Sequence, residues 1–485
     1  MPAVKPLILA MALAYGLPAM AAEMPADLAQ VLQQMQARLA KLEARNAELE
    51  RQLGSVPAAS LETRVKDLEA ANAKLAEAMG SDRLSQDEPE LATRLKAVEF
   101  QALGVQKQAR MIEALEGISA GVSFTSVAQH ANGSATTTGK TEDQLSWRGD
   151  AQISLPGGSL GNSEGSLFFH FRMGQGDGLA SLNPTFSMPN ATAFQLGGAG
   201  QPDDASPILA QAWYQLSMPL DDKPLDKSKQ HFEVTFGKID PFLFFDQNSA
   251  ADDETVKFMN LAFVHNPLLD AGGAAGVDAY GFTPGLRLAY HDDRQAPLGW
   301  GVSLGVFGSD TGAAFSDSLK KPFAIAQAQT SQRFFGGLEG NYRLYAWHNG
   351  RVADFNGTLE AQSGWGLSVD QRLGDGMTLF GRYGQATSGN PAFDRALTLG
   401  AEFSGSYWDR AGDGIGLALG WLAASDSYKL ANPGFDAEQL AELYYRWRVN
   451  KQFALTPDYQ FIHRPGADPS KPNAQILGLR AQLTF

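Results

Sequence analysis

From about residue 117 onward, this 485-residue chain alternates apolar and polar side chains with a period of two. The stretch 476–485 is the clearest case. Leu477, Leu479, Ala481, Leu483 and Phe485 share one face, and Gly478, Arg480, Gln482 and Thr484 share the other. The same pattern recurs upstream. Trp147, Ala151, Ile153 and Leu155 alternate with Arg148, Asp150, Gln152 and Ser154, and Leu167, Phe169, Phe171 and Met173 with Phe168, His170 and Arg172. Leu443, Tyr445, Trp447 and Val449 alternate with Glu442, Tyr444, Arg446 and Arg448. Successive side chains of a strand point to opposite faces, so one face suits oil and the other water. An Arg or Lys on a lipid face costs roughly 2–4 kcal/mol near the bilayer midplane. The arginines are therefore expected to point inward in a closed transmembrane barrel. A soluble β-sandwich would alternate as well, but it would leave those arginines in bulk solvent. The aromatic-rich outer face and the Phe485 end, which resembles the assembly signal of outer-membrane proteins, favour the membrane.

Sixteen antiparallel strands are expected, near 118–129, 146–155, 164–173, 207–218, 231–239, 282–292, 299–308, 322–330, 337–347, 362–373, 377–386, 395–404, 414–424, 438–449, 452–462 and 474–485. An even count returns the chain to the rim where the barrel began, the periplasmic one. Gly374-Asp375-Gly376 and Asn450-Lys451 then read as short periplasmic turns, and 130–145, 174–206, 240–281, 309–321 and 426–437 as external loops. The composition agrees: 51 Gly, 10% aromatic and only 19% charged residues, with low overall hydropathy. A barrel needs only one apolar face per strand. The net charge of −14 argues against nucleic acid or anionic lipid as a partner, and the lack of Cys excludes disulfides and thiolate metal sites.

The first 116 residues follow other rules. Lys5, the apolar run Leu7 to Leu17 and the small residues of Ala19-Met20-Ala21 form a signal-peptide pattern, so residues 1–22 are expected to be removed. An uncleaved anchor is the alternative reading. Residues 23–116 carry heptad seams: Leu28, Leu32, Met35, Leu39, Leu42, Asn46, Leu49 and Leu53, then Leu61, Val65, Leu68, Asn72, Leu75 and Met79, then a weaker run from Leu91 to Ile112. So narrow a seam needs a partner helix, and one Asn at an a position in each of the first two blocks sets register. A periplasmic coiled coil that makes a homo-oligomer is expected, with a trimer favoured only by analogy to outer-membrane barrels that are often trimers. A single amphipathic helix lying on peptidoglycan or the barrel mouth is the alternative.

Separated blocks within the barrel carry a family resemblance. They are Phe236-Gly237-Lys238-Ile239-Asp240, Phe244-Phe245-Asp246-Gln247-Asn248, Asp252-Asp253-Glu254-Thr255, Phe258-Met259-Asn260 and Phe263-Val264-His265-Asn266-Pro267. Gly340-Asn341-Tyr342-Arg343-Leu344-Tyr345, Gly381-Arg382-Tyr383-Gly384, Tyr444-Tyr445-Arg446-Trp447 and Leu455-Thr456-Pro457-Asp458 follow in order. Residues 117–485 resemble the carbohydrate-selective outer-membrane porins of the OprB type. The resemblance implies passive diffusion of sugars through a sixteen-stranded channel, with no cofactor and no catalytic residue. The coiled coil is not part of the common family pattern.

Loop 240–281 is too long for a turn, and its Phe242, Phe244, Phe245, Phe258 and Phe263 are a liability if solvated. It is expected to fold into the lumen as a constriction, with Asp246, Asn248, Asp253 and Glu254 facing Arg148, Arg172, Arg287, Arg343 and Arg382. Trp213, Lys238, Glu339 and Tyr345 complete the expected pore lining, where charged groups read sugar hydroxyls and rings stack on sugar faces. Bracing of the loop by the same ion pairs is the competing role, and Asp240, beside Pro241, reads as structural. Gly301-Val302-Ser303-Leu304-Gly305 matches a nucleophile elbow but lies inside an alternating strand, the wrong context for one. Asp252-Asp253-Glu254 reads as an Arg-paired acidic stretch rather than a calcium site, and the seven His are scattered without ligand spacing, so no metal is expected.

A second reading is a general or other-solute porin whose coiled coil mainly tethers the outer membrane to the cell wall. A variant lacking residues 23–115 separates the roles. If the segment is a tether, conductance in planar bilayers stays and cell-wall attachment is lost; loss of conductance would assign the segment to the channel.

Overall fold

The computed structural model describes residues 118–196, 205–270, 282–309, 320–334, 337–374 and 376–485. The signal segment and the coiled coil lie outside these residues. The described residues form sixteen strands: β1 (Ser119–Ala131), β2 (Glu142–Leu160), β3 (Ser163–Gln175), β4 (Ile208–Pro219), β5 (Gln230–Ile239), β6 (Thr283–Gln295), β7 (Leu298–Phe307), β8 (Phe323–Phe334), β9 (Leu338–Ala353), β10 (Leu359–Arg372), β11 (Met377–Ser388), β12 (Phe393–Ser404), β13 (Gly414–Ala424), β14 (Ala437–Arg448), β15 (Phe453–His463) and β16 (Ala474–Thr484).

Each strand pairs antiparallel with its sequence neighbours, and β1 closes on β16, so the barrel has no free edge. The closing register runs from Ser123 opposite Thr484 to Ala131 opposite Ile476. Phe485 extends it: its N–H donates to the Val122 carbonyl at 2.8 Å, and the Val122 N–H donates back at 3.2 Å. Hydrocarbon offers no hydrogen bonds, so a spanning sheet must satisfy every backbone group within itself. Closure does this.

The alternation matches the expected faces. In β7, Trp300, Val302, Leu304 and Val306 are exposed, while Gly301, Ser303, Gly305 and Phe307 are buried or nearly so. In β13, Leu417 and Leu419 face out, while Gly416, Ala418 and Gly420 face in. All sixteen expected strands are present, and several run longer than the alternation predicts. β2 begins at Glu142, β6 reaches Gln295 and β9 reaches Ala353. Backbone pairing continues there past the apolar band, and polar residues at those ends no longer have to choose between oil and water.

The aromatic core lies inside the barrel. Phe245, Phe258 and Phe263 of the β5–β6 connection pack with Phe307, Phe323, Tyr345, Trp347, Phe380 and Tyr444 of the wall. Inward glycines make the room. A Cβ at Gly366 would fall 2.5 Å from the Tyr345 ring, and one at Gly384 would fall 2.4 Å from the Asn266 amide. This accounts for part of the glycine content: the wall is thinned where the loop presses on it.

The β3–β4 connection departs from expectation. Read as an external loop, its described part also turns inward. Ser187 and Phe186 donate backbone N–H groups to the buried Glu438 carboxylate at 3.0 and 2.8 Å, and Gln460 donates to the Pro189 carbonyl at 2.8 Å. The inner carboxylate of β14 holds it there by accepting from the Phe186 and Ser187 N–H groups and the Ser187 hydroxyl.

Leu479 on β16 is 48% exposed on the outer face, and Leu430, in the 425–436 connection, is 84% exposed. Leu479→Arg should destabilise the barrel refolded in lipid vesicles by about 2–4 kcal/mol, and Leu430→Arg should be close to neutral. Equal effects at the two positions would contradict the assignment of faces.

Candidate functional site

The 240–270 segment is fastened inside the barrel by four sets of contacts. The first centres on Asp246, which is fully buried with Arg382. Arg382 Nε lies 3.0 Å from Asp246 Oδ2, and its two terminal nitrogens donate to the carbonyls of Phe263 at 2.8 Å and Asp246 at 3.1 Å. The Tyr345 hydroxyl donates to Asp246 Oδ1 at 2.6 Å, and the Asn266 N–H donates to Oδ2 at 2.6 Å. Asp246 takes a left-handed backbone (φ 57°), which Asp tolerates better than most residues, and Gln327 accepts its N–H at 2.9 Å. One carboxylate thus pins both ends of the loop to β9 and β11, and the backbone N–H of the same residue ties it to β8.

The second set lies on β10. Asn248 donates to Ser368 Oγ at 3.3 Å and to the Val369 carbonyl at 3.1 Å, and Ser249 donates to Asp370 at 2.7 Å. The third is on β14 and β15, where Glu442 accepts from Met259 N–H at 2.5 Å and Asn260 N–H at 2.9 Å, and Asn260 donates to Gln460 at 3.1 Å. The fourth is Arg480 of β16, which donates to the carbonyls of Glu254, Val256 and Lys257, each at 2.8 Å. A guanidinium offers five donors and no acceptor, so it suits a turn whose carbonyls are unpaired.

This changes the expected roles. Asp246, Asn248, Tyr345 and Arg382 are each at most 2% exposed. They hold the loop and offer no surface to a passing solute. Asp253 accepts from Thr255 and shapes its own turn instead of meeting an arginine. Asp240 caps the short turn at Pro241 by accepting from Phe242 N–H at 2.9 Å, the structural role its place beside proline suggested. Arg343 pairs with Asp370 at 2.9 Å, and Glu339 sits opposite Arg333 at the start of β9.

The remaining predicted residues do converge, Arg148, Arg172, Trp213 and Arg287 on the inner faces of β2 to β6 and Lys238 at the end of β5. Arg148 bridges wall and loop, 2.9 Å from Asp150 and 2.7 Å from Glu254. Arg172 donates to Asp150 at 2.7 Å and lies over the Phe282 ring at 5.2 Å, which Lys238 also approaches at 5.7 Å. Trp213 stacks on Phe168 at 4.8 Å and meets Phe244 edge-on at 5.7 Å. Arg287 lies 4.4 Å above Phe244 and pairs with Glu233 at 2.7 Å. Arginine, carboxylate and ring therefore interleave where β2 to β6 face the loop. Sequence reasoning missed Asp150 and Glu233 as partners, and it missed Glu438, Glu442 and Arg480 as anchors. All five lie at inward strand positions, which the period-two pattern could have flagged.

The buried pair makes a test. Arg382→Ala leaves Asp246 without its cation in a dry site, an error of about 3–5 kcal/mol when one partner of a buried pair is removed. The loop should detach, with raised and noisier single-channel conductance, while the barrel still assembles. Unchanged conductance would show that the pair does not hold the loop.

Comparison with known proteins agrees with this architecture. A family model described as the carbohydrate-selective porin, OprB family, matches residues 90–485. The chain is 27% identical over 152 residues to Porin AaxA of Chlamydia pneumoniae, covering 30% of this chain and 33% of that one. It is 25% identical over 189 residues to Porin B of Pseudomonas aeruginosa, covering 30% of this chain and 42% of that one. The matches thus span less than half of either relative. A solved structure of Pseudomonas putida OprB superposes with a TM-score of 0.59 at 20% identity, over 76% of this chain and 94% of that one, a likeness of fold. With the family model spanning the whole barrel, the chain belongs to the OprB family of carbohydrate-selective porins.

Proposed function

We propose that the chain is an outer-membrane channel for passive diffusion of mono- or oligosaccharides into the periplasm. The observation that carries this reading is the interleaved track along β2 to β6 and the loop facing them: Arg148, Arg172, Lys238 and Arg287 as donors, Asp150, Glu233 and Glu254 as acceptors, and the partly exposed Trp213 and Phe244 as rings. A sugar has hydroxyls around its rim and C–H groups on its faces. Donors and acceptors exchange its hydration shell for protein contacts, and rings cover the faces. Most of the charges are already paired with one another. A sugar would therefore share their hydrogen bonds without displacing an ion, and binding stays weak enough for flux. No group in this track performs covalent chemistry in this account, and transport follows the concentration gradient.

Outer-membrane lipid surrounds the apolar outer face. The segment 23–116 is proposed to join copies of the chain into a homo-oligomer, favoured as a trimer, on the periplasmic side, with peptidoglycan as a further contact.

Ion conductance in planar bilayers should fall, saturably, as a neutral sugar is added. Arg172→Ala should weaken that block without closing the channel. A panel of sugars in liposome swelling ranks the solutes, with amino acids and organic anions as comparison. Equal permeation of every solute of one size, with no block by any sugar, would overturn the carbohydrate reading and leave a general porin.

A further inference from the structure

At the rim where β5 starts and β6 ends, three side chains from adjacent strands converge on the lumen. His231 and Glu233 are two apart on β5, so both project inward. His291 is the direct cross-strand partner of His231. The two imidazoles stack, with centroids 4.9 Å apart and planes 21° from parallel. Both Nε2 atoms face the same carboxylate: His231 Nε2 lies 3.5 Å from Glu233 Oε1, and His291 Nε2 lies 3.4 Å from Oε2. All three residues are half-buried, and among the described residues they are the one group of at least three potential ligands gathered within 4.8 Å.

The spacing separates this group from the other histidines. Hydrogen-bonded His–carboxylate pairs in the same molecule are much shorter, at 2.7 Å for His170–Asp150, 2.6 Å for His265–Asp270 and 2.7 Å for His130–Asp143. The Glu233 contacts are too long for such bonds. They do fit the edge of a coordination tetrahedron, since metal bonds of about 2.0–2.1 Å at the tetrahedral angle put neighbouring donor atoms about 3.3–3.4 Å apart. Two features hold the donors in place. Arg287 Nη1 donates to Glu233 Oε2 at 2.7 Å and fixes the carboxylate. Arg287 Nη2 also lies 3.4 Å from His291 Nε2, so the guanidinium borders both the carboxylate and one imidazole. Opposite His291 on β7 stands Gly301, where a Cβ would lie 3.1 Å from Nδ1. The glycine leaves the ring its room.

The geometry points to a three-ligand site for a borderline transition-metal ion of the zinc class, made by His231 Nε2, His291 Nε2 and the Glu233 carboxylate. Imidazole with one carboxylate suits zinc, nickel and copper better than magnesium or calcium. The remaining position opens to lumen water. Arg287 acts as a positioning residue, as hydrogen-bonding partners do behind many metal-bound carboxylates. Its charge also opposes the ion, so binding is exchangeable. A bound dication adds positive charge at this end of the sugar track and makes the channel more anion-selective.

The test uses the full chain, carried without a polyhistidine tag. Titration with zinc alone, followed by calorimetry, should show one saturable site per chain, and cobalt should give a visible absorption band typical of nitrogen ligands. Zinc at the same concentrations should shift the reversal potential toward anion selectivity. His231→Asn, His291→Asn and Glu233→Gln should each weaken binding by on the order of tenfold or more, and Arg287→Gln should strengthen it. Heat-modifiable migration on gels checks that each variant is a folded barrel. No saturable binding by the wild-type chain, or equal binding by the His231→Asn/His291→Asn double variant, would overturn the site.

Discussion

The structure depends on one constraint: a strand that crosses hydrocarbon has no solvent with which to pair its backbone. Closure of β1 on β16 meets that constraint. Once the wall is closed, each inward position belongs to a water-filled or protein-filled interior, and each outward one to lipid. Arg148, Arg172, Arg287, Arg343, Arg382 and Arg480 are therefore gathered into one volume by the price of placing any of them outside. The crowding of charge that makes the lumen useful follows from the membrane itself.

A lumen this wide would have a bare inner wall without a filler. The 240–270 segment supplies one, and its fastening uses charge in a particular way. Arg382 and Arg480 donate to its carbonyls and Glu442 accepts its N–H groups, while Glu438 accepts N–H groups of the β3–β4 connection. Wall side chains thus play the part that neighbouring strands or helix turns play elsewhere, by satisfying an irregular backbone held away from bulk water. Apolar members of the loop pack over glycines of the wall, Phe245 at Gly305 of β7 and Phe258 and Phe263 at Gly416 and Gly420 of β13, while Asn266 lies over Gly366 of β10 and Gly384 of β11.

Much of this was legible in the residues. Period-two alternation located all sixteen strands and gave the inward side of the arginines, since energy forbids the other choice. The aromatic content of 240–281 placed that loop inside. What escaped was whatever depends on register across strands. His231 and His291 are sixty positions apart in sequence and become neighbours only through β5–β6 pairing, so scattered histidines along the chain become a cluster in space. The choice between pore lining and bracing for Asp246, Asn248, Tyr345 and Arg382 stayed open for a related reason. Their types suit sugar recognition and loop fastening equally, and only burial decides between the two. The inward turn of the β3–β4 connection was hidden because its attraction is to Glu438, a single residue far along the chain.

The central claim is that the loop after β5 is seated on the inner face of β10, and the chain's lack of cysteine allows a direct measurement. Ser249 and Asp370 are in hydrogen-bond contact at 2.7 Å, so the variant Ser249→Cys/Asp370→Cys places two thiols side by side if the loop is seated there. The account predicts that the disulfide forms readily in the assembled barrel and that conductance is the same before and after reduction. A pair that does not oxidise, or one whose closure sharply changes conductance, would mean that the loop rests elsewhere.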